Sequence, residues 1–417
     1  MVTLKLTQMA HGGSALGRYQ GKVFFVPYAL PGETVTVEVG TGKKRWARAR
    51  LVEVVEPSPE RIEPPCPYFG PHACGGCQMQ HARYAAQLGY KTDVVRDQLA
   101  RLGGLSDAPV QATRAVGDAW EYRNHVQLHP SPDGLGYISA DGRGVQPISF
   151  CPIMHPLVAD LFAELDLELG DLERLTLRAG MNTGQQMVVF ETINDEPFEL
   201  SVDKPVSCVL MLEDGTPVTL VGSDHFFERV AGHQYRISAG SFFQVNTAGA
   251  EALLEVVADY LALRPYETLL DLYCGVGLFA VALAGRLSQV IAVESYPASV
   301  ADARFNVAAA GLDNVRVAQD DVAHFLANLD ESIHAVIVDP PRSGCGSDVM
   351  SQLASLGPER LVYVACDPAT LARDAQTMVA AGYHLAEVQP LDLFPQSYHI
   401  ESVALLVKSG LKRGDVG

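Results

Sequence analysis

Leu361-Val362-Tyr363-Val364-Ala365-Cys366-Asp367-Pro368 is the stretch that decides the fold class of this chain. Its first five residues form an apolar run, which is typical of a buried strand in a parallel sheet covered by helices on both faces. Pro368 cannot continue the strand and suits the first turn of a helix. Cys366 is therefore predicted at the carboxyl end of a strand, where ligands bind in α/β sheets. Backbone amides at the helix start would favour its thiolate, although a small core residue is the commoner role of a lone cysteine.

The C-terminal part of the chain, from about residue 241, alternates predicted strands and helices, as an α/β domain does. Five of its predicted strands end on a polar side chain, and these are Asp271, Glu294, Asp321, Asp339 and Cys366. Because the carboxyl ends of parallel strands meet at one edge of a sheet, these groups should converge on one crevice. Helix capping is the alternative role, and it is strongest for Asp320 and Asp321.

A glycine turn, Gly275-Val276-Gly277, follows the first of these strands, and Glu294 lies about 20 residues further on. This spacing also matches the dinucleotide-binding fingerprint, so an NAD-dependent enzyme is an open alternative. Asp271, four residues before Gly275, places negative charge where a pyrophosphate would bind. A ligand with a positive charge, such as the sulfonium of S-adenosylmethionine, therefore suits the crevice better than NAD.

The first 56 residues contain short β-rich runs separated by turn signals such as Pro31-Gly32 and Gly40-Thr41-Gly42. This pattern predicts a small barrel of the oligonucleotide-binding kind. The segment carries eight Lys or Arg and four acidic residues, a net +4, so the remaining 361 residues hold −22 of a total of −18. Lys43, Lys44, Arg45 and Trp46 at a hairpin tip would supply phosphate contacts and a stacking ring, unless they form an ordinary solvated hairpin.

Three cysteines follow a proline-rich linker, in the spacing Cys66-x7-Cys74-x2-Cys77, and a fourth comes much later at Cys151. Gly75-Gly76 would let the thiols of Cys74 and Cys77 turn toward one ion. Four thiolates suit zinc or an iron–sulfur cluster, and the residue types alone do not separate these two. A long amphipathic helix is predicted over 80–102 and β-rich structure over 110–240, with Cys208 in the core.

The composition of the 417-residue chain, with 48% hydrophobic and 19% charged residues, excludes a disordered protein and allows two to four domains. No apolar run is long enough to cross a bilayer, and the N-terminus lacks the apolar core of a signal peptide. We therefore expect a cytoplasmic protein with no membrane partner. In such a protein cysteines serve metals or catalysis before disulfides.

Four motifs carry a family resemblance: Asp271-Leu272-Tyr273-Cys274-Gly275, Asp339-Pro340-Pro341-Arg342, residues 365–374 around Cys366, and His399-Ile400-Glu401-Ser402-Val403. With them the chain resembles the RNA uracil-5-methyltransferase family, and its start around residues 21–33 resembles a TRAM domain. The resemblance implies a Rossmann-like class I methyltransferase domain at 241–417. It also implies an OB-like TRAM β-barrel at 1–56 and a central β-rich iron–sulfur and RNA-binding domain at 57–240, whose helix 80–105 packs on the catalytic domain.

The resemblance also implies roles for individual residues. Cys366 would add to uracil C6, and Glu401 would act as the base that removes the C5 proton. The expected contacts to S-adenosylmethionine or to uracil come from Gln244, Tyr273, Glu294, Asp321 and Asp339. Leu278 stands where many relatives have asparagine, so one polar cofactor contact would be missing.

The cysteines Cys66, Cys74, Cys77 and Cys151 resemble the 4Fe-4S site of the ribosomal RNA branch of the family, which favours iron–sulfur over zinc. The resemblance implies a monomer that acts on RNA, with 23S rRNA favoured and uridine 54 of tRNA as the alternative. Two other classes stay open, an RNA-binding protein without catalysis and a redox enzyme that uses Cys366.

Overall fold

The computed structural model of the chain describes residues 1–195, 198 and 200–410. Over these residues the strands form a closed barrel, a seven-stranded sheet, a two-stranded hairpin and an eight-stranded sheet. Residues 411–417, which the sequence analysis placed in the third domain, lie outside the described part, as do 196, 197 and 199 of the second. No helix within the described part is both long and apolar enough to cross a membrane.

The barrel is closed in the strand order β1-β2-β3-β5-β4, and only the β3–β5 pair is parallel. Its strands are β1 (Val2–Met9), β2 (Ser14–Tyr19), β3 (Lys22–Pro27), β4 (Thr34–Gly42) and β5 (Trp46–Glu56). The last three correspond to β-rich runs of the sequence, at 23–26, 34–39 and 47–54. The first two were not predicted, since they carry polar residues at alternate positions where the strand faces solvent. Closure leaves no free sheet edge. Lys43, Lys44 and Arg45 lie at the tip of the β4–β5 hairpin, as predicted.

The central part of the chain contributes two helices, a short strand and the seven-stranded sheet, in the order β13-β12-β11-β10-β7-β8-β9. The elements are α1 (Tyr84–Leu102), β6 (Arg114–Ala115), β7 (His125–Ser131), β8 (Gly134–Ile138), β9 (Val145–Pro147), α2 (Pro156–Ala163), β10 (Leu172–Ala179), β11 (Gln186–Thr192), β12 (Ser207–Met211) and β13 (Pro217–Val221). Cys208 is buried in the core of this sheet, as predicted.

The last part of the chain begins with a hairpin and continues as an α/β unit whose eight-stranded sheet has the order β18-β17-β16-β19-β20-β22-β21-β6. The elements are β14 (His225–Val230), β15 (His233–Ser238), α3 (Thr247–Leu261), β16 (Thr268–Leu272), α4 (Leu278–Leu283), a 3₁₀ turn (Ala284–Arg286), β17 (Gln289–Glu294), α5 (Pro297–Ala309), β18 (Val315–Gln319), α6 (Val322–Ala327), β19 (Ala335–Val338), α7 (Gly346–Leu356), β20 (Arg360–Ala365), α8 (Pro368–Ala380), β21 (Tyr383–Asp392) and β22 (Glu401–Lys408).

Five strands of this sheet, β16 to β20, are parallel, and β22 then runs antiparallel to β20. Alternate residues of each central strand enter apolar clusters on opposite faces. Val362 packs with one cluster, for example, and its neighbour Tyr363 with the other. Both faces are therefore covered, which explains why these strands read as continuous apolar runs. All polar strand-end groups consequently lie at a single edge.

The central part of the chain is joined closely to the α/β unit. Helix α1 packs against α8, and its Val94, Val95 and Leu99 share an apolar cluster with the eight-stranded sheet. Strand β6, within the range assigned from sequence to the central domain, pairs with the end of β21 and so belongs to the sheet of the third. A fully buried ion pair, Lys91 Nζ to Asp392 Oδ1 at 2.5 Å, ties α1 to the end of β21.

Candidate active site

Cys366 lies in the two-residue link between β20 and α8, where the sequence predicted it. Asp367 caps the helix, because its Oδ1 accepts hydrogen bonds from the N–H groups of Ala369 at 2.7 Å and Thr370 at 3.1 Å. Burial raises the pKa of the Cys366 thiol to about 12, and the Glu401 carboxylate adds to this shift. The expectation that the helix-start amides favour the thiolate is wrong for the free protein, since Asp367 takes two of them itself.

Glu401 opens β22, across from the turn that carries Cys366. Antiparallel pairing sets Ala365 opposite Ser402, so the next step of the same register sets Cys366 opposite Glu401. The Glu401 side chain is almost completely buried. Burial and the neighbouring Asp339 carboxylate raise the pKa of Glu401 well above its usual range, while Arg342 lowers it. The two residues assigned from sequence to nucleophile and base therefore lie at the same edge.

Asp339 and Arg342 complete this edge. Asp339 follows β19, its backbone N–H donates to the carbonyl of Leu272 at 3.3 Å, and burial raises the pKa of its carboxyl to about 7. Arg342 comes after two prolines, with its Nη2 3.0 Å from Nδ1 of His399. The Arg342 guanidinium lowers the pKa of both Cys366 and Glu401. It is the cation that opposes the acidic character of the crevice.

Glu294 and Tyr273 lie where the sequence predicted cofactor contacts, beside the glycine turn. One oxygen of Glu294 accepts from the N–H of Gly275 at 3.1 Å, and the other from the N–H groups of Ser295 and Tyr296 at 2.7 and 2.8 Å. These backbone donors fix the direction of the carboxylate. Tyr273 adopts a left-handed backbone with φ of 62°. Burial and the nearby Cys345 raise the pKa of its hydroxyl.

Two acids predicted to line the crevice accept hydrogen bonds from helix amides in the structure. Asp271 is fully buried, and its Oδ2 accepts from the N–H of Ala280 in α4 at 3.0 Å, while Oδ1 has no hydrogen-bond partner. Burial, Asp339 and Glu294 raise the pKa of Asp271 to about 8. Asp321 is the N-cap of α6, the alternative role noted from sequence. The argument that Asp271 presents charge directly to the crevice was therefore wrong.

Gln244 and Leu278 lie just before α3 and at the start of α4. Gln244 is buried just before α3, and its carbonyl accepts from Nδ2 of Asn124 at 3.3 Å. The side chain of Leu278 is buried in an apolar cluster at the start of α4. An asparagine at this position would have to leave that cluster to meet a ligand.

The four cysteines predicted as ligands are free thiols in one region of the central unit. Cys77 and Cys151 join the same small apolar cluster with Tyr122 and Ile153. The pKa of Cys77 is raised to about 12, first by burial and then by the thiols of Cys151, Cys74 and Cys66. The N–H of Gly76 lies 3.3 Å from the sulfur of Cys74. Among the described residues, no three or more His, Cys, Asp or Glu side chains are grouped around one metal position.

One residue at the rim of the site was missed from sequence. His11, in the β1–β2 loop of the barrel, places Nε2 3.7 Å from Oδ2 of Asp367, the residue after the nucleophile. Its ring also meets Tyr398 edge-on, with centroids 6.3 Å apart. A single histidine in a small β-rich module carries no sequence signal for such a contact, because only the tertiary fold brings the loop to the α/β unit.

A broad groove begins at this rim and runs between the barrel, the cysteine loop and α1. The barrel wall includes Arg18, Arg45, Arg48 and Trp46, and the opposite wall includes Tyr398. Arg18, Arg45 and Arg48 are exposed and form no salt bridge to any described residue. The Trp46 ring is 36% exposed and is supported edge-on by Phe25 at 6.3 Å. Free guanidinium groups beside an open aromatic face are what a nucleic-acid strand contacts.

Comparison with known proteins agrees with this geometry. Residues 227–409 match the family model described as tRNA (Uracil-5-)-methyltransferase, and residues 2–52 match the TRAM domain model. A protein of Streptomyces avermitilis named as an uncharacterized RNA methyltransferase is 38% identical, over 97% of this chain and 97% of its own length. The 23S rRNA (uracil(1939)-C(5))-methyltransferase RlmD of Shewanella sediminis is 33% identical, over 97% and 95%.

A solved structure agrees over the whole architecture. The tRNA (uracil-54, C5)-methyltransferase of Pyrococcus abyssi, solved with S-adenosyl-L-homocysteine, has a TM-score of 0.78 at 26% identity. The match covers 97% of this chain and 100% of that one. The family resemblance seen in the sequence is thereby confirmed, and the dinucleotide alternative is set aside. The chain belongs to the S-adenosylmethionine-dependent RNA uracil-5-methyltransferase family.

Proposed function

We propose that this enzyme methylates C5 of a uridine in 23S rRNA through a transient bond between the Cys366 sulfur and uracil C6. The observation that carries the proposal is the β20–β22 register, whose last pair, Ala365 with Ser402, directly adjoins Cys366 and Glu401, with the Asp339 carboxylate near both. A nucleophile and a base at one edge are what an addition–elimination reaction needs.

The chemistry divides between these two residues. Uracil C5 is a weak nucleophile until a group adds to C6. The Cys366 thiolate forms a bond to C6, and the electron pair of the C5–C6 double bond moves toward C5 and the O4 enolate. S-adenosylmethionine, when bound, would supply the electrophilic methyl group that C5 accepts, with its S–CH3 bond broken and S-adenosylhomocysteine leaving with the electron pair. The Glu401 carboxylate then takes the C5 proton, the double bond re-forms, and the Cys366 sulfur leaves as a thiolate.

The charges at this edge favour a cationic cofactor. Cys366, Asp339 and Glu401 all have raised pKa values, because each is buried, and nearby carboxylates add to the shift for Cys366 and Glu401. A bound cation lowers the pKa of every acid near it. The sulfonium charge of S-adenosylmethionine would therefore fit this crevice and assist both the thiolate and the carboxylate.

We propose that the remaining predicted residues contact the cofactor or the uracil, because they lie at the same edge of the sheet. Glu294, oriented by three backbone N–H groups, ends its strand where an acid binds ribose hydroxyls. Tyr273 and Asp321 flank the same edge, and Gln244 approaches from the start of α3. Asp339, with a pKa near neutrality, is suited to hydrogen-bond the uracil or the amino-acid end of the cofactor.

The RNA class is the finer part of the proposal. The Shewanella sediminis relative supports 23S rRNA, whereas the Pyrococcus abyssi structure supports tRNA uridine 54 as the alternative. The groove lined by Arg18, Arg45, Arg48 and Trp46 would hold the RNA in either case. We further propose that the enzyme acts as a cytoplasmic monomer, because one chain carries the barrel, the cysteines and the full set of site residues.

We also propose that Cys66, Cys74, Cys77 and Cys151 hold a 4Fe-4S cluster. Four thiols without disulfides, close enough to raise each other's pKa, are a donor set that such a cluster accepts. A backbone N–H already points at one of the sulfurs, as expected of a site that stabilises thiolate ligands. The reaction needs no electrons, so the cluster would have a structural role.

Replacing Cys366 by alanine should abolish methylation while leaving S-adenosylmethionine binding unchanged, because the thiol is needed only for addition to C6. The wild type should form 5-methyluridine in a 23S rRNA transcript and not in tRNA, as measured by mass spectrometry of digested RNA. Cys208→Ala, which removes a buried thiol far from the site, should stay active. Methylation by Cys366→Ala would exclude the covalent scheme. If the wild type methylated tRNA and not 23S rRNA, tRNA would be the substrate.

Replacing Glu401 by glutamine should trap the methylated RNA on the protein. The amide cannot take the C5 proton, so the Cys366–C6 bond persists and a slow-migrating complex appears on a denaturing gel. The double variant Cys366→Ala, Glu401→Gln should give no such band. Free 5-methyluridine product at the wild-type rate from Glu401→Gln would remove Glu401 from the role of base.

Replacing Arg342 by glutamine should slow the covalent step and shift its pH profile upward. Loss of the guanidinium leaves the raised pKa of Cys366 higher still, so less thiolate is present at any pH below it. With a shift of roughly one pKa unit, the single-turnover rate on 5-fluorouridine RNA should fall about tenfold at pH 7.5, and by the same factor at any pH well below the pKa. Arg373→Gln, an exposed arginine on α8, is the control. An unchanged rate in Arg342→Gln, or an equal loss in Arg373→Gln, would contradict this account.

Protein purified without oxygen should contain about four iron and four sulfide per chain. Cys151→Ser should lose most of both, because one of four ligands is gone, whereas Cys208→Ser should keep them. Iron and sulfide analysis together with the visible absorption spectrum gives the measurement. A content of one zinc per chain without sulfide would contradict the cluster and indicate a zinc site instead.

A further inference from the structure

One loop of the barrel, residues 10–13 between β1 and β2, contacts residues at the rim of the active site. Gly12 and Gly13 have φ of 94° and 77°, and the N–H of Gly13 donates to the carbonyl of Ala10 at 3.1 Å. A Cβ atom at Gly13 would lie 3.1 Å from Cβ of Tyr398 and 3.2 Å from Cβ of Gln78. Only glycine permits both this backbone and this close approach, so the loop is built to pack against the α/β unit.

His11, in this loop, contacts two elements of the active site. Its Nε2 lies 3.7 Å from Oδ2 of Asp367, whose other oxygen caps α8. The two side chains are 27% and 29% exposed, so solvent screens the pair only in part. The carboxylate of Asp367 thus connects the barrel loop with the helix that starts beside the nucleophile.

A second line of contacts leads from His11 to the cation of the site. The His11 ring packs edge-on against Tyr398, and the Tyr398 ring lies over His399 with centroids 4.3 Å apart. His399 is in turn the hydrogen-bond partner of Arg342 at 3.0 Å. Tyr398 and His399 lie three and two residues before Glu401 in the sequence. One imidazole therefore touches both the turn that carries the nucleophile and the segment that carries the base.

The same loop also lines the groove that we assign to RNA. His11, Gly12 and Gly13 form its inner end, and Arg18 and Trp46 lie further out along the barrel. An RNA strand held by the barrel would press on the loop at the point where it meets Asp367 and Tyr398. A shift of the barrel would therefore move this loop, and the loop would in turn move Asp367 and Tyr398 beside Cys366 and Glu401.

We propose that His11 is a positioning residue for methyl transfer, through which the RNA-binding barrel aligns the Cys366 turn and the Tyr398–His399 segment. The inference rests on the proposed function in that Cys366 is the nucleophile. His11 does not touch the uracil. It acts by holding the Asp367 carboxylate and the Tyr398 ring, so its loss affects the rate of the chemical step more than the affinity for RNA.

The test compares His11→Ala, His11→Gln and His225→Ala in the full-length holoprotein. His225 is a matched control, because it is also 27% exposed, pairs with Asp224 and packs edge-on against Phe227, yet lies on the β14–β15 hairpin away from the groove. We expect His11→Ala to lower kcat for methyl transfer about tenfold with KM for RNA changed less than about threefold. His11→Gln, which keeps a polar side chain near the Asp367 carboxylate, should recover much of the loss, and His225→Ala should resemble the wild type.

Three outcomes would overturn the proposal. A higher KM with unchanged kcat would make His11 an RNA contact only. An equal loss of kcat in His225→Ala would show that the effect is not specific to the loop. A lower melting temperature with no rescue by His11→Gln would show a purely structural role. If the wild type forms 5-methyluridine without any 5-fluorouridine adduct, the covalent proposal fails, while the kcat comparison still decides the role of His11.

Discussion

The pairing of one antiparallel strand onto a parallel sheet is the constraint on which the active site depends. Five parallel strands bring their carboxyl ends to one edge, and each contributes the residue at which it stops. Because β22 runs the other way, it brings its first residue to that edge. The proposed catalytic pair therefore consists of the residue after one strand, Cys366, and the residue that begins its neighbour, Glu401. No sequence proximity is needed, since the pairing of the two strands brings both residues to the same edge.

This arrangement carries an electrostatic cost that shapes the chemistry. The edge holds Asp339 and Glu401 in a poorly solvated crevice, with Asp271 buried behind it. Burial raises the pKa of all three carboxyls, and neighbouring carboxylates add to the shift for Asp271 and Glu401. Arg342 offsets only part of this effect, because it lowers the pKa of Glu401 and Cys366 against burial. Such a crevice favours a cationic ligand, since a positive charge lowers the pKa of the acids near it.

The sequence predicted the parts of the site that depend on local pattern. Cys366 after an apolar run, Glu294 after the glycine turn and the β4–β5 hairpin tip were each placed correctly, because strand ends and turns leave periodic signals. It did not distinguish an acid that faces the crevice from one that binds a helix start, so Asp271 was misjudged. Strands β1 and β2 were missed because a half-buried barrel strand is only weakly apolar. His11 had no local signal at all, since its contact exists only after the barrel and the α/β unit have docked.

The segment between β21 and β22 explains why a methyltransferase domain needs the rest of the chain. The N–H groups of Gln78 and Met79 donate to the carbonyl of Gln396 at 3.0 and 2.9 Å, and the Tyr122 hydroxyl donates to the carbonyl of Pro395 at 3.0 Å. Gln78 directly follows Cys77, and Tyr122 packs in the same cluster as Cys77. This segment leads directly to Glu401. The contacts that hold Cys77 in place therefore also hold the backbone that positions Glu401. A cluster at the cysteines would therefore support catalysis through backbone geometry and without any electron transfer.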